Sequence, residues 1–232
     1  MPRPSSATLA TFAAMSTILT LAGPAQAART SSWPEPVPVV TRIDTQDPVV
    51  FITLDDGWNH DSAAQRLLLE RRIPASLFIN PMHYSWDKKY YQDLLNHGPS
   101  RMENHTLNHV DLPGLSPQEQ RAEICGARDR NLAAFGDSPQ LFRPPSGRYD
   151  EETRRAARAC GAKALVTWTY NATDAPWNPN PELPELRPGD IILLHLDTTA
   201  EADLRRVLDA VDASGLRPAQ LRDYAPDRAP SP

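Results

Sequence analysis

Between residues 49 and 224 the chain alternates short apolar runs with amphipathic stretches. The runs are VVFITL (49–54), ASLFI (75–79), the ill-defined RMENH (101–105), QLFRP (140–144), KALVTW (163–168), DIILLH (190–195) and AQLRDY (219–224). Their length and continuity suit strands covered on both faces, where strict alternation of apolar and polar residues is lost. The stretches 61–72 and 150–160 carry one apolar stripe at helical period and are predicted as helices. Ser116-Pro117-Gln118-Glu119 is a capping box with proline at the first helical position, opening a helix towards Phe135. Thr198 and Glu201 read as a second box ahead of LRRVLDAV.

Strand and helix alternating in this way predict an α/β fold of parallel strands joined by crossover helices. An open doubly wound sheet and a closed barrel both satisfy the pattern. No GxGxxG or GxxxxGK[ST] follows a strand, which disfavours nucleotide binding. Either architecture places functional groups at the carboxyl ends of its strands.

The ionisable residues fall at those ends. Asp55 and Asp56 end the first run, and His105, Thr106 and His109 follow the third as HTLNH. Arg143 closes the fourth within FRPPSGRY, Trp168 and Asp174 follow the fifth, and His195 closes the sixth. Singly, each has an ordinary reading: Asp-Gly marks a turn, HTLNH is two surface histidines, Arg143 a salt bridge, Asp174 a turn cap and His195 a core histidine. Five separate segments converging on one mouth argue for a site. Histidines at i and i+4, read as one helical turn, project together. With one carboxylate they make a His-His-Asp set that leaves coordination positions open, the catalytic form of a zinc site. A second carboxylate suits a base and a histidine across the mouth an acid, so Asp55 and Asp56 divide into one base and one ligand.

Composition narrows the class. The 232 residues suit a single domain with a substantial core, and 40% hydrophobic with 23% charged residues describe an ordinary globular chain. A net charge of -5 argues against a nucleic-acid partner. Residues 1–27 read as a signal peptide, with an apolar stretch from Ala7 to Leu21, the breaker Gly23-Pro24 and Ala25-Gln26-Ala27 as cleavage pattern. A linker over 28–47, the main domain over 48–224 and a disordered tail over 225–232 complete the organisation. The expected protein is secreted, extracellular or cell-wall associated, monomeric and free of the membrane once the signal is removed. An oxidising compartment permits a disulfide between Cys125 and Cys160; two separately buried thiols are the other reading.

Five short motifs carry a resemblance: TLDDG (53–57), HTLNH (105–109), RPPSG (143–147), NATD with a nearby tryptophan (171–177) and LLH (193–195). In this order the chain resembles the polysaccharide deacetylases, the NodB-homology group also called carbohydrate esterase family four. The resemblance implies a distorted (β/α) barrel of about seven parallel strands, irregular beside the eight-stranded form. It implies a metal-dependent hydrolase removing acetyl groups from N-acetylated sugars, or O-acetyl groups in some members. Asp56, His105 and His109 would hold the metal, zinc or else cobalt or another divalent ion. Asp55 would be the general base and His195 the general acid, with Arg143 orienting Asp55 and Asp174 tuning His195. The backbone N–H of Ser146 would serve the oxyanion, and Leu193 would wall an acetyl pocket. Trp58, Trp177 and Tyr149 are candidates for stacking on sugar rings.

Two departures from the family pattern stand out. Ser146 takes a position usually aromatic, and Asn171 replaces an aspartate while remaining able to accept a hydrogen bond from Arg143. The leading expectation is a deacetylase of peptidoglycan or chitin-type oligomers. Acetylxylan esterase and a catalytically weak, metal-bearing glycan-binding protein are the alternatives.

Overall fold

A parallel sheet organises the chain in the computed structural model, which describes Met1, residues 34–181 and residues 183–226. Its strands are β1 (Val39–Val40), β2 (Val49–Asp56), β3 (Ser76–Ile79), β4 (Arg101–Asn104), β5 (Leu141–Phe142), β6 (Ala164–Val166), β7 (Tyr170–Asn171) and β8 (Ile191–His195). They lie in the order β1-β6-β5-β4-β3-β2-β8-β7, and a short β9 (Arg217–Pro218) pairs with the start of β2. β6 and β7 are successive parts of one stretch, yet β6 pairs with β5 and β7 with β8. The sheet therefore curls back on itself into a distorted barrel, as the family resemblance implied. Apart from Met1, the expected signal peptide over 1–27 lies outside the described residues, as does the tail expected over 225–232 from residue 227 onward, while Ala225 packs against the inner core. No helix among the described residues is long and apolar enough to cross a membrane.

The period of two along β2 divides its fully buried residues between two cores. Val50, Ile52 and Leu54 pack outward with Leu67, Leu68, Leu94, Leu204 and Val207. These come from helices α1 (Ser62–Glu70), α3 (Lys88–His97) and α6 (Ala200–Ser214). Val49 and Phe51 face inward with Phe78, Leu141, Val166 and Ile191. By the same alternation Thr53 and Asp55 on β2, and Leu193 and His195 on β8, continue the inward row. Asp55 and His195 are direct neighbours in register. The inner row is apolar at the amino end and turns polar at the carboxyl end, which sets the chemistry there.

Further helices are α2 (Pro81–Tyr84), α4 (Pro117–Phe135), α5 (Glu151–Ala159) and α7 (Leu221–Tyr224). The capping box at Ser116 and Glu119 forms as the sequence predicts, and α4 ends on the left-handed Gly136. The box at Thr198 and Glu201 does not form. α6 begins at Ala200, its N-cap Thr199 makes no side-chain cap, and Glu201 pairs with Arg205 instead. AQLRDY is a helix rather than a strand. Leu221 and Tyr224, three apart, both reach the inner core, where Tyr224 packs edge-on against Phe51. The linker at 28–47 also folds in part: Val37, Val40 and Ile43 are buried and β1 pairs with β6, so the domain begins before residue 48. Its prolines mask a spacing of three that places valine and isoleucine on the barrel.

Two ties hold the periphery. Cys125 in α4 and Cys160 at the end of α5 form a disulfide across a sequence separation of 35. Its removal by Cys125→Ser with Cys160→Ser should cost about 3–4 kcal/mol, read as a lower denaturation midpoint at unchanged fold. Glu103 on β4 is fully buried, which explains why RMENH was hard to read as a strand. One carboxylate oxygen accepts from Arg222 Nε at 2.8 Å, and the other from the N–H groups of Gln140 and Leu141, each at 2.8 Å.

Candidate active site

The carboxyl ends of β2, β4 and β8, with the loops after β5, β6 and β7, surround a cavity of about 430 Å³. Asp55, Asp56, His105, His109, Ser146, Trp168, Asn171, Trp177, Leu193 and His195 line it. Trp58 and Tyr149 are not among its walls, and both are exposed.

The turn after β2 separates the two aspartates. Asp56 takes a left-handed φ of 67° and Gly57 follows at 96°. The bend therefore starts one residue earlier than Asp-Gly suggests. A side chain at Gly57 would meet the Tyr91 hydroxyl at 2.4 Å, so glycine is required there. Asp55 stays on the inner row, and Asp56 swings towards β4.

His105 and His109 sit on a loop, not on the helical turn predicted from their spacing. Thr106 and His109 adopt left-handed φ values of 65° and 53°, which a helix excludes. Two asparagines fix this loop. Asn80 Nδ2 donates to the carbonyls of His105 at 2.6 Å and Thr106 at 3.1 Å. Asn104 Oδ1 accepts from Thr106 N, and Thr106 Oγ1 from His109 N. The loop brings both Nε2 atoms to 3.2 Å from Asp56 Oδ1.

This trio fits a divalent cation. His105 Nδ1 lies 2.8 Å from the Arg143 carbonyl, which can only accept. In the neutral ring the proton is therefore on Nδ1, and Nε2 offers its lone pair to the cluster. Asp56 Oδ1 is buried without a hydrogen-bond donor. A carboxylate oxygen and two imidazole nitrogens converging in this way are satisfied by one cation with mixed oxygen and nitrogen ligands. Burial pushes the Asp56 carboxyl up, but the imidazoles of His105 and His109 pull it far below the usual carboxylate range. Burial alone would lower His105, and the facing Asp55 and Asp56 raise it instead.

Arg143, wholly buried, clamps Asp55. Its Nη1 donates to Asp55 Oδ1 at 2.6 Å and to Thr53 Oγ1 at 2.8 Å. Nη2 donates to the Thr167 carbonyl, and the guanidinium lies 4.3 Å from the centre of the Phe78 ring. Asn171 is not its partner: Asn171 Oδ1 accepts from Thr173 N. Backbone carbonyls of the β6 segment take the place of that missing side-chain acceptor. Asp55 Oδ2 stays directed at the cluster, 3.9 Å from His105 Nε2.

Around His195 the sequence expectation needs correcting. The partner of its Nδ1 is Thr173 Oγ1 at 2.8 Å, leaving Nε2 as the nitrogen available to a substrate. Asp174 turns away, and its exposed carboxylate accepts from Asn180 N. The reason lies in α6, where the buried Asp203 accepts from Asp174 N at 3.0 Å and is itself held by Arg206. That anchor presents Thr173, not Asp174, to the histidine. Ser146, at a left-handed φ of 55°, has a backbone N–H with no acceptor among the described residues. Gly147 packs under the Trp168 indole, where a Cβ would come within 2.9 Å. Trp177 lies edge-on to His195 with ring centres 5.2 Å apart. Sequence reading missed Asn80, Thr173 and Asp203. Only Thr173, inside NATD, had a signal beside it.

Residues 42–165 match the model of the polysaccharide deacetylase family. A protein of Streptomyces coelicolor that has not been characterised is 40% identical over 195 residues, covering 81% of this chain and 77% of its own. A chitooligosaccharide deacetylase of Rhizobium leguminosarum is 30% identical over 161 residues, covering 65% of this chain and 69% of its own. A crystal structure of a carbohydrate esterase family 4 pseudoenzyme from Bacillus anthracis superposes with a TM-score of 0.72 at 17% identity, over 83% of this chain and 70% of that one. This chain belongs to the polysaccharide deacetylase family, with the NodB-type curled parallel barrel. The family match ends before Thr173 and His195, so their pairing is read from the geometry alone.

Proposed function

We propose that the protein is a secreted, divalent-metal-dependent deacetylase of N-acetylated polysaccharide, with chitin-type oligomers or peptidoglycan as substrate class. The observation that carries this reading is the convergence of Asp56, His105 and His109 beside Asp55 and His195 in one cavity. A cation held by the first three, zinc by the chemistry of its donors, would polarise the acetyl carbonyl and acidify water. The chain's own groups supply the remaining chemistry. Asp55 Oδ2 takes a proton from the attacking water, while Arg143 holds Oδ1 and compensates the buried charge. The Ser146 N–H donates to the carbonyl oxygen as negative charge develops there. Leu193 contacts the acetyl methyl. His195 gives a proton from Nε2 to the departing amine, and the Thr173 hydroxyl accepts from Nδ1–H throughout.

A glycan-binding protein without turnover is the second reading, motivated by Ser146 and Asn171. The Asp55–Arg143 contact and the Thr173-supported His195 speak against it, because binding alone requires neither. Acetate release should be assayed on chitooligomers, peptidoglycan and acetylated xylan with added zinc. Release from the N-acetylated substrates supports the proposal, release from xylan alone redirects it to an esterase, and glycan binding with no acetate from any substrate refutes it.

A further inference from the structure

The cavity has the size of a site for one small molecule. A polysaccharide that presents one acetylated unit to it must lay its remaining units on the surface alongside. On the Asp56 side that surface is aromatic. Trp58 donates Nε1–H to Asp56 Oδ2 at 3.1 Å and leaves 60% of its surface exposed. Its ring centre lies 4.5 Å from that of His83. Trp86, on the turn between α2 and α3, contacts the same imidazole edge-on at 5.5 Å and is 72% exposed. His83 is buried beneath the two indoles, and neither of its ring nitrogens has a hydrogen-bond partner among the described residues.

For packing alone this arrangement is expensive twice over. An imidazole buried without partners loses its water for nothing, and two large indoles stay in solvent where the fold gains little from them. Both costs make sense if the outer indole faces have a use. Indole presents a broad, rigid surface that loses little side-chain freedom on binding, and it keeps a polar N–H for orientation. Trp58 joins the platform directly to a wall of the catalytic cavity through Asp56.

We propose that Trp58 and Trp86, seated on His83, form a docking platform for the pyranose rings of a polysaccharide as it leaves the cavity. The identity of the ligand as an acetylated glycan rests on the function proposed above. The platform should favour polymer over short substrate, since Trp86 is not among the residues lining the cavity.

The test compares the full chain with its Trp86→Ala and Trp86→Phe variants. Co-sedimentation with insoluble chitin and with peptidoglycan sacculi reads polymer affinity, and acetate release from diacetylchitobiose reads the cavity. Trp86→Ala should lose about tenfold in polymer affinity, and Trp86→Phe should recover most of it. Release from the disaccharide should be unchanged in both. Undiminished polymer binding by Trp86→Ala would overturn the platform, as would failure of the unaltered chain to bind either polymer. An equal loss on the disaccharide would also overturn it, because Trp86 would then be acting through the cavity. Polymer binding that depends on Trp86, with no acetate from any substrate, would sink the deacetylase reading and leave the platform standing.

Discussion

Asp55→Asn should reduce acetate release by about 10²–10⁴-fold while the metal affinity of the chain stays close to that of the unaltered protein. Asparagine keeps the shape, and its Oδ1 can still accept from Arg143 Nη1, so the inner row of β2 is preserved. The amide that replaces Oδ2 cannot take a proton, which removes the proposed base while leaving the three metal-site residues in place. Asp56, His105 and His109 are untouched, so zinc titration by calorimetry should give the same stoichiometry. Some stability should be lost as well, because Arg143 is wholly buried and loses its counter-charge. The remaining acceptors, Thr53 Oγ1 and the Thr167 carbonyl, keep that loss moderate. Turnover at the unaltered rate would remove Asp55 from the role of base.

The largest effect on stability is expected from Arg222→Ala. The substitution leaves Glu103 buried with two of its three side-chain hydrogen bonds and no opposing charge, which typically costs about 3–5 kcal/mol. For a chain of this size the thermal midpoint should fall by roughly 10 °C. The loss also frees Asp137 and the Met102 carbonyl, so α7 should detach from β4 and open the inner core at Leu221 and Tyr224. Glu103→Leu combined with Arg222→Met should recover part of the stability, since no charge is then stranded. Recovery should be incomplete because the N–H groups of Gln140 and Leu141 lose their acceptor. An unchanged midpoint for Arg222→Ala would show that the pair is not structural.

The main lines of the fold and the contents of the site were legible because parallel strands deliver their carboxyl ends to one place. Asp55, His105, Arg143 and His195 could be picked out by position before any geometry was known. What stayed hidden depends on distant partners. Glu103 made β4 look unlike a strand, and its partner Arg222 is 119 residues away. The loop HTLNH imitates a helical turn in spacing, but Asn80 and Asn104 impose two left-handed residues on it. Thr173 displaced Asp174 as the neighbour of His195 because Asp203, on a helix later in the chain, fixes the loop from behind. The apparent strand at 219–224 failed for a local reason, since Leu221 and Tyr224 share a helical face.

In the proposed reaction the cluster of Asp56, His105 and His109 holds a metal without which acetate is not released. The decisive measurement is acetate release from an N-acetylated chitooligomer on one preparation before chelation, after chelation and after zinc is restored. We expect release that falls to background on chelation and returns with about one zinc per chain, and no return when the same zinc is given to His105→Ala with His109→Ala. Full activity in the chelated protein, or restoration by zinc in the variant lacking both histidines, would contradict it.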